Sequence, residues 1–392
     1  MFRIRTMNKI SPQGLDLFPR DAYEVASEIP NPDAILVRSA DLHHMKLPLS
    51  VKAVARAGAG YNNIPVRSCS DRGVVVFNTP GGNANAVKEL ALAALLIASR
   101  DILGGVRWAA SLADKADEAP ALVEKGKSAF EGPELKGKIL GVIGLGAVGV
   151  MVANDAAALG MEVVGYDPYI SVEAAWNLSH QVRRSDTLEG LLAASDYITL
   201  HLPLTETTKG LLDTGKFRLM KKNARIINLA RGGLVNEADI IAALQSEKLG
   251  IYVTDFPTAE LLACPKAVCI PHLGASTPEA EDNCAVMAVR QLMDFLETGT
   301  VRNSVNFPRC KLEQRAAYRL VVINRNIPNM VGQITTLLAA EGINIMDLIN
   351  HHRDRYAYNI IDTDQDIPPV ALERIIAVEG IIRVRLIQRY HT

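Results

Sequence analysis

Short apolar runs of strand length recur along the first three-quarters of the chain. Ala34–Val37, Val51–Ala55 and Val74–Phe77 are each bounded by polar or turn residues and read as buried strands. Residues 78–83, Asn-Thr-Pro-Gly-Gly-Asn, carry turn chemistry. A helix is expected after them, from about Asn85 to Trp108, with a stretch that is apolar nearly all round and therefore buried on most sides. Further strands are expected at Lys138–Ile143, Val163–Tyr166, Tyr197–Leu200, Ala224–Asn228 and Ile251–Thr254, with helical segments between them and an amphipathic helix at Glu279–Glu297. Regular strand–helix alternation points to an α/β chain built on doubly wound parallel sheets.

The rhythm breaks at 303–311, which reads as a linker able to act as a hinge. Beyond it the order is strand (Tyr318–Ile323), helix (Pro328–Ala340, with Pro in its first turn), strands (Ile343–His351 and Tyr356–Asp362), helix (Pro369–Val378) and strand (Ile381–Ile387). That β-α-β-β-α-β order predicts a ferredoxin-like module.

Composition narrows the function classes. The 392 residues carry 42 Lys plus Arg against 43 Asp plus Glu, so no net field draws nucleic acid or an anionic membrane. The five cysteines, Cys69, Cys264, Cys269, Cys284 and Cys310, form no CxxC pair and suggest neither a metal site nor a redox couple. An odd count of free thiols, no secretory pattern at the start and no apolar run long enough to span a bilayer lead us to expect a cytoplasmic protein.

The first chemical signal is Gly144-Leu145-Gly146-Ala147-Val148-Gly149. It follows an apolar strand and opens a helical pattern, and Asp167 stands at the end of the next strand. Glycines there permit a tight turn and close approach of a pyrophosphate to the helix N-terminus. An acid at that place accepts hydrogen bonds from ribose hydroxyls and repels a 2′-phosphate, so NAD is the expected cofactor. The second signal is three strands that end on polar residues: Asn228 to Gly233 with Arg231, Asp255 to Glu260, and Pro271 to Thr277 with His272. Ends of parallel strands form the ligand crevice. Reduction of a 2-oxo acid needs a proton donor as hydride arrives, which suits His272; Glu260 would hold its other nitrogen, and Arg231 offers a planar fork to a carboxylate.

Together with Arg56 to Gly60 and Asn78 to Gly81, these segments resemble the D-isomer-specific 2-hydroxyacid dehydrogenase family over most of residues 34–280. The resemblance implies catalytic Arg231, Glu260 and His272. It implies NAD contacts from Gly144, Gly146, Ala147, Val148, Gly149, Asp167, His201, Leu202, Pro203, Leu229, Ala230, Arg231, Asp255, His272, Gly274 and Ala275, and no metal. It further implies a discontinuous flavodoxin-like substrate domain, 1–96 and 286–306, around a Rossmann-type NAD domain, 97–285, with the C-terminal module at 316–392. Two departures stand out: Glu260 is followed by Leu261 rather than Pro on a short loop, and Lys88 replaces a small apolar residue.

Within the family, the resemblance implies the serine-biosynthesis branch acting on D-3-phosphoglycerate. Its substrate contacts would be Arg38, Ser39, Arg56, Ala57, Gly58, Asn83 and Arg231, with Lys125 and Lys127 as further cations. The C-terminal module resembles the ACT domain, and Asn324, Asn326 and Asn344 match positions that hold an amino acid across a paired interface. That implies an L-serine effector and a homodimer or homotetramer. A glycerate or hydroxypyruvate reductase and an NAD-sensing corepressor-like interaction protein remain open alternatives, because fold alone does not decide between them.

Overall fold

The computed structural model describes residues 1–313 and 315–388; the last four residues expected in the C-terminal module, 389–392, lie outside the described ones. The chain forms two units, one from Met1–Asn83 with the chain from Pro278 onward, the other from Ala84–Thr277.

The first unit opens on a parallel sheet of β1 (Phe2–Met7), β2 (Tyr23–Ala26), β3 (Ala34–Val37), β4 (Ala53–Arg56) and β5 (Val75–Phe77), in the order β2-β1-β3-β4-β5. β1 and β2 were not among the expected strands, because arginines at 3 and 5 break up the apolar signal of β1. All four residues of β3 are buried, as a strand covered on both faces must be. Ile35 and Val37 pack with Val54 and Val76 on one face. Ala34 and Leu36 face a core built by Ala288, Leu292 and Phe295 of the long helix Pro278–Thr298.

The second unit is a seven-stranded parallel sheet of β6 (Ile139–Ile143), β7 (Glu162–Tyr166), β8 (Arg183–Arg184), β9 (Tyr197–Leu200), β10 (Ala224–Asn228), β11 (Leu249–Thr254) and β12 (Ala267–Cys269), ordered β12-β11-β10-β9-β6-β7-β8. Strand order reverses between β6 and β9, the topological switch point of a doubly wound sheet. The helix expected over Asn85–Trp108 is two helices, Ala84–Ser99 and Ile102–Ala110. The break falls at Asp101, whose carboxylate caps the second helix by accepting the Gly104 N–H at 2.9 Å. Lys88 also finds its reason here: its ammonium pairs with Asp155 of the helix Ala147–Ala158 at 2.8 Å.

The C-terminal sheet belongs to the first unit. β13 (Tyr318–Arg325), β14 (Ile345–Arg353), β15 (Tyr356–Thr363) and β16 (Ile381–Gln388) are antiparallel in the order β14-β15-β13-β16, with helices Met330–Ala340 and Pro369–Ile376 on one face. The first helix begins two residues later than expected, since Asn329 takes a left-handed conformation at φ 65°. Side chains alternate along the strands. Leu320, Val322 and Ile361 meet the helices, while Val321, Ile323, Tyr358, Ile360 and Ile387 join the core that holds Phe77, Phe295 and Phe307.

The expected linker is therefore no free hinge. Asn306 is buried; its Oδ1 accepts the Val76 N–H at 2.9 Å and its Nδ2 donates to the Val74 carbonyl at 2.9 Å, while Phe307 and Cys310 are fully covered. Arginines of the C-terminal sheet also reach the end of the helix Pro278–Thr298. Arg319 donates to the Thr298 carbonyl at 2.9 Å and Arg385 to that of Leu296 at 3.0 Å. They satisfy carbonyls that a helix end leaves without intrahelical partners. No helix among the described residues is long and apolar enough to cross a membrane.

Candidate functional site

Strand register builds the site. Ile143 of β6 pairs with Tyr166 of β7 and Leu200 of β9, so Gly144, Asp167 and His201 come out side by side at the C-terminal edge. Asn228 of β10 pairs with Leu200 of β9 and Thr254 of β11, and Thr254 with Cys269 of β12, which extends the row through Leu229, Asp255 and Ile270. Residues far apart in sequence thus share one edge.

At the glycine loop, Gly144 turns with φ 92°, and a Cβ on Gly149 would lie 1.9 Å from the Gly144 carbonyl oxygen. Gly146 faces open space, with nothing within 4 Å of where its Cβ would be. It caps the helix Ala147–Ala158 without a side-chain hydrogen bond, which leaves first-turn N–H groups for an anion. Asp167 braces this turn: its carboxylate accepts the Leu145 and Tyr169 N–H groups, each at 2.8 Å. His201 sits half-buried beside the loop, and desolvation lowers its pKa to about 4, so it is neutral at physiological pH. One of its ring nitrogens lies 3.0 Å from the Thr199 hydroxyl. Leu202 packs at Gly144, and Leu229 is buried.

The strand ends beyond carry the reactive groups. Asn228 shapes the turn after β10, donating to the Arg231 carbonyl at 3.0 Å and accepting the Ala230 N–H at 3.2 Å. Arg231 is exposed, with its guanidinium folded onto the Ala230 carbonyl. His272 is also exposed and stacks on Phe256, ring centroids 4.9 Å apart at 60°. His272, Asp255, Phe256, Gly232, Glu237 and Thr258 line a cavity of 380 Å³. Asp255 is 1% exposed, and neither of its carboxylate oxygens has a hydrogen-bond partner among the described residues. Burial raises its pKa; the nearby His272 charge, the Asp255 and Gly274 backbone N–H dipoles and, last, the Arg231 charge pull it back down. Two orphaned acceptors in the row of strand ends are the counterpart a nicotinamide carboxamide would need, so the residues present fit an NAD molecule laid from glycine loop to Asp255.

Glu260 stands elsewhere. It lies on the one-turn helix Ala259–Leu262, capped by the Thr258 hydroxyl, where Leu261 takes the buried position and Glu260 is exposed. It does not line the cavity, and no hydrogen bond or ion pair joins it to His272.

In the other unit, Val37 pairs with Arg56 of β4, so Arg38 and Arg56 sit at neighbouring strand ends. Arg56 donates to the carbonyls of Arg38 at 2.9 Å and Gly60 at 2.6 Å, and Gly58 leaves room for its guanidinium, since a Cβ there would fall 2.7 Å from Nη1. Arg38 is ion-paired with Glu281 at 2.6 Å. Ser39 is held through its N–H by Asn8, Ala57 is buried, and Asn83 is half-buried.

The stretch 101–274 matches the family described as D-isomer specific 2-hydroxyacid dehydrogenase, NAD binding domain. A D-3-phosphoglycerate dehydrogenase of Mycobacterium bovis is 34% identical over 381 residues, 92% of this chain and 69% of that protein. This chain belongs to the D-isomer specific 2-hydroxyacid dehydrogenases. A D-3-phosphoglycerate dehydrogenase of Archaeoglobus fulgidus is 37% identical over 73% of this chain, but the match spans only 53% of that protein's length. The NAD⁺-bound 3-phosphoglycerate dehydrogenase of Entamoeba histolytica superposes with a TM-score of 0.60 at 27% identity, covering 78% of this chain and 98% of that one.

Against the rest of this dehydrogenase family's expected residues, the C-terminal asparagines separate. Asn324 is buried with both ends of its amide engaged, accepting from Asn359 at 2.7 Å and donating to the Arg325 carbonyl at 2.6 Å. Asn326 and Asn344 are exposed. Lys127 pairs with Glu124 at 2.5 Å on an exposed helix. The sequence reading missed Glu281, Phe256 as the ring under His272, and Glu237. Only Phe256 had a signal, being next to Asp255; the other two are ordinary first-turn helix acids.

Proposed function

We propose that this chain catalyses the NAD-dependent interconversion of a D-2-hydroxy acid and its 2-oxo acid, with D-3-phosphoglycerate as the hydroxy acid. The observation that carries the reading is the row of strand ends running from an open glycine loop to Asp255 and His272. NAD, when bound, supplies the hydride acceptor. His272 takes the hydroxyl proton as the C–H bond is broken and returns it in the reverse direction; imidazole is the side chain whose ordinary pKa suits both roles. Arg231 swings from the Ala230 carbonyl to clamp the substrate carboxylate in a two-pronged hydrogen bond. The phosphorylated substrate is supported by the relatives' names and by Arg38 and Arg56, cations of the kind a phosphate requires. A smaller 2-oxo acid, hydroxypyruvate, is the second reading, favoured by the Arg38–Glu281 pair, which already neutralises one of those cations. The five cysteines are free thiols, in keeping with a reducing cytoplasmic setting. NADH formation from D-3-phosphoglycerate tests the proposal, and its absence at any pH with NAD saturating would sink it.

Asp167 predicts the cofactor. Its carboxylate stands beside the glycine turn, where the 2′-phosphate of NADP would meet like charge. kcat/KM should favour NAD by more than about tenfold, equivalent to about 1.4 kcal/mol. Equal use of both cofactors would remove Asp167 from the ribose.

For the C-terminal module we propose binding of an amino-acid effector, L-serine, through Asn326 and Asn344 of two paired modules, which requires at least a dimer. Asn324 acts only by bracing β13 against β15. L-serine should inhibit with a coupling of about 1–3 kcal/mol, and Asn344→Ala should abolish both the inhibition and the heat of serine binding in calorimetry. Inhibition that survives in that variant would place the effector elsewhere.

A further inference from the structure

Arg38 and Arg56 are the cations offered to a substrate phosphate, and both already have work in the protein. Arg56 donates to the carbonyls of Arg38 and Gly60. Arg38 Nη2 donates to Glu281 Oε1 at 2.6 Å, and these side chains are 38% and 41% exposed, so the pair is open to a ligand. Glu281 lies in the first turn of the helix Pro278–Thr298. The positive end of a helix suits an acid there with or without a partner, so the helix does not depend on Arg38. The next acid, Asp282, accepts from the Ser11 hydroxyl instead. Cys284, buried one turn further on, lies within electrostatic reach of Arg56, Arg38 and Glu281 alike. The three charges therefore share one locality at the ends of β3 and β4, and one of them is negative.

We propose that Glu281 is a specificity-determining residue: it sets how strongly the site prefers a phosphorylated 2-oxo acid over its unphosphorylated counterpart. The inference rests on the dehydrogenase reading for the identity of the acid. A phosphate that reaches Arg38 must take the guanidinium from Glu281, and it leaves the carboxylate beside a group of like charge. An uncharged hydroxymethyl group meets no such cost, and its O–H can donate to the carboxylate. Glu281 is thus a penalty on phosphate built into a site that otherwise attracts it. The phosphorylated acid and hydroxypyruvate become two substrates of one site, and the charge at position 281 sets the balance between them.

Glu281→Gln keeps the shape of the side chain and removes its charge. The ratio of kcat/KM for 3-phosphohydroxypyruvate to that for hydroxypyruvate should rise about tenfold, more than a fully exposed pair is worth and far less than a buried one. Glu281→Asp keeps the charge and should stay near the unmodified ratio. Adding Arg38→Ala to Glu281→Gln should erase most of the gain. Calorimetric titration of the cofactor-free protein with D-3-phosphoglycerate and with D-glycerate reads the same preference without turnover, and Glu281→Gln should shift the ratio of the two Kd values toward the phosphorylated acid by a similar factor. A ratio that stays put or falls in Glu281→Gln overturns the proposal, since Glu281 would then be a helix-end acid that only holds Arg38 in place. A rise shared in full by Glu281→Asp overturns it too, because shape rather than charge would be at work. The inference and the dehydrogenase reading fail separately. An unmodified protein that turns over neither acid sinks that reading and leaves the binding ratio to decide on Glu281; D-3-phosphoglycerate that binds neither the unmodified protein nor Glu281→Gln overturns the inference.

Discussion

His272→Ala will lose turnover by about 10²–10⁴-fold while still binding NADH, the loss that removal of a general acid–base brings. The histidine sits at the end of the strand-end row, stacked on Phe256 and outside the glycine loop, so its removal leaves the dinucleotide cradle intact. Arg231→Ala should act differently. Its fork serves the substrate carboxylate in ground and transition state alike, so KM should rise along with the fall in kcat. NADH fluorescence titration separates binding from chemistry in both variants. A near-normal kcat in His272→Ala would remove the histidine from the mechanism.

Arg319→Ala will destabilise the first unit by about 3–5 kcal/mol, the cost of leaving one member of a buried ion pair alone. Arg319 and Asp362 are joined by two hydrogen bonds of 2.6 and 2.8 Å, and their side chains are 0% and 1% exposed. Arg319 also holds the end of the helix Pro278–Thr298. The double change Arg319→Met with Asp362→Leu should recover much of the loss, because an apolar pair leaves no buried charge. Urea unfolding measures both. A second consequence follows from the shared core. Val321, Ile323, Tyr358, Ile360 and Ile387 pack with Phe77, Phe295 and Phe307, so the C-terminal sheet and the parallel sheet of this unit should unfold together. Truncation after Lys311 should yield an aggregating chain. A separate early transition for the C-terminal sheet in the Arg319 variant, or a soluble and active truncated protein, would restore the picture of a hinged module.

Much of this architecture was legible in the sequence, because strands buried on both faces leave uninterrupted apolar runs. β9 and β10 fall at Tyr197–Leu200 and Ala224–Asn228, as their runs suggested. β1 was hidden by its arginines, and β12 by its brevity. The break at Asp101 was missed because the apolar pattern carries on past it, while the capping carboxylate that ends it is a single polar residue. The segment 303–311 looked like a linker because its polar residues, Asn306 above all, spend their hydrogen bonds on the backbone of β5 and its approach, a partnership invisible in composition. In the site, the glycine loop and Asp167 follow from local spacing and are brought together by the β6–β7 register. The outward turn of Glu260 does not follow, since spacing alone cannot say that Leu261 would claim the core.

The most direct test of the proposed function is the rate of NADH oxidation by the purified chain with 3-phosphohydroxypyruvate and, in parallel, with hydroxypyruvate. The account predicts NADH-dependent turnover of both, with the higher kcat/KM for the phosphorylated acid and the preference diminished in Arg56→Ala. Turnover of neither would contradict the assignment of this chain as a 2-hydroxyacid dehydrogenase in function as well as in family.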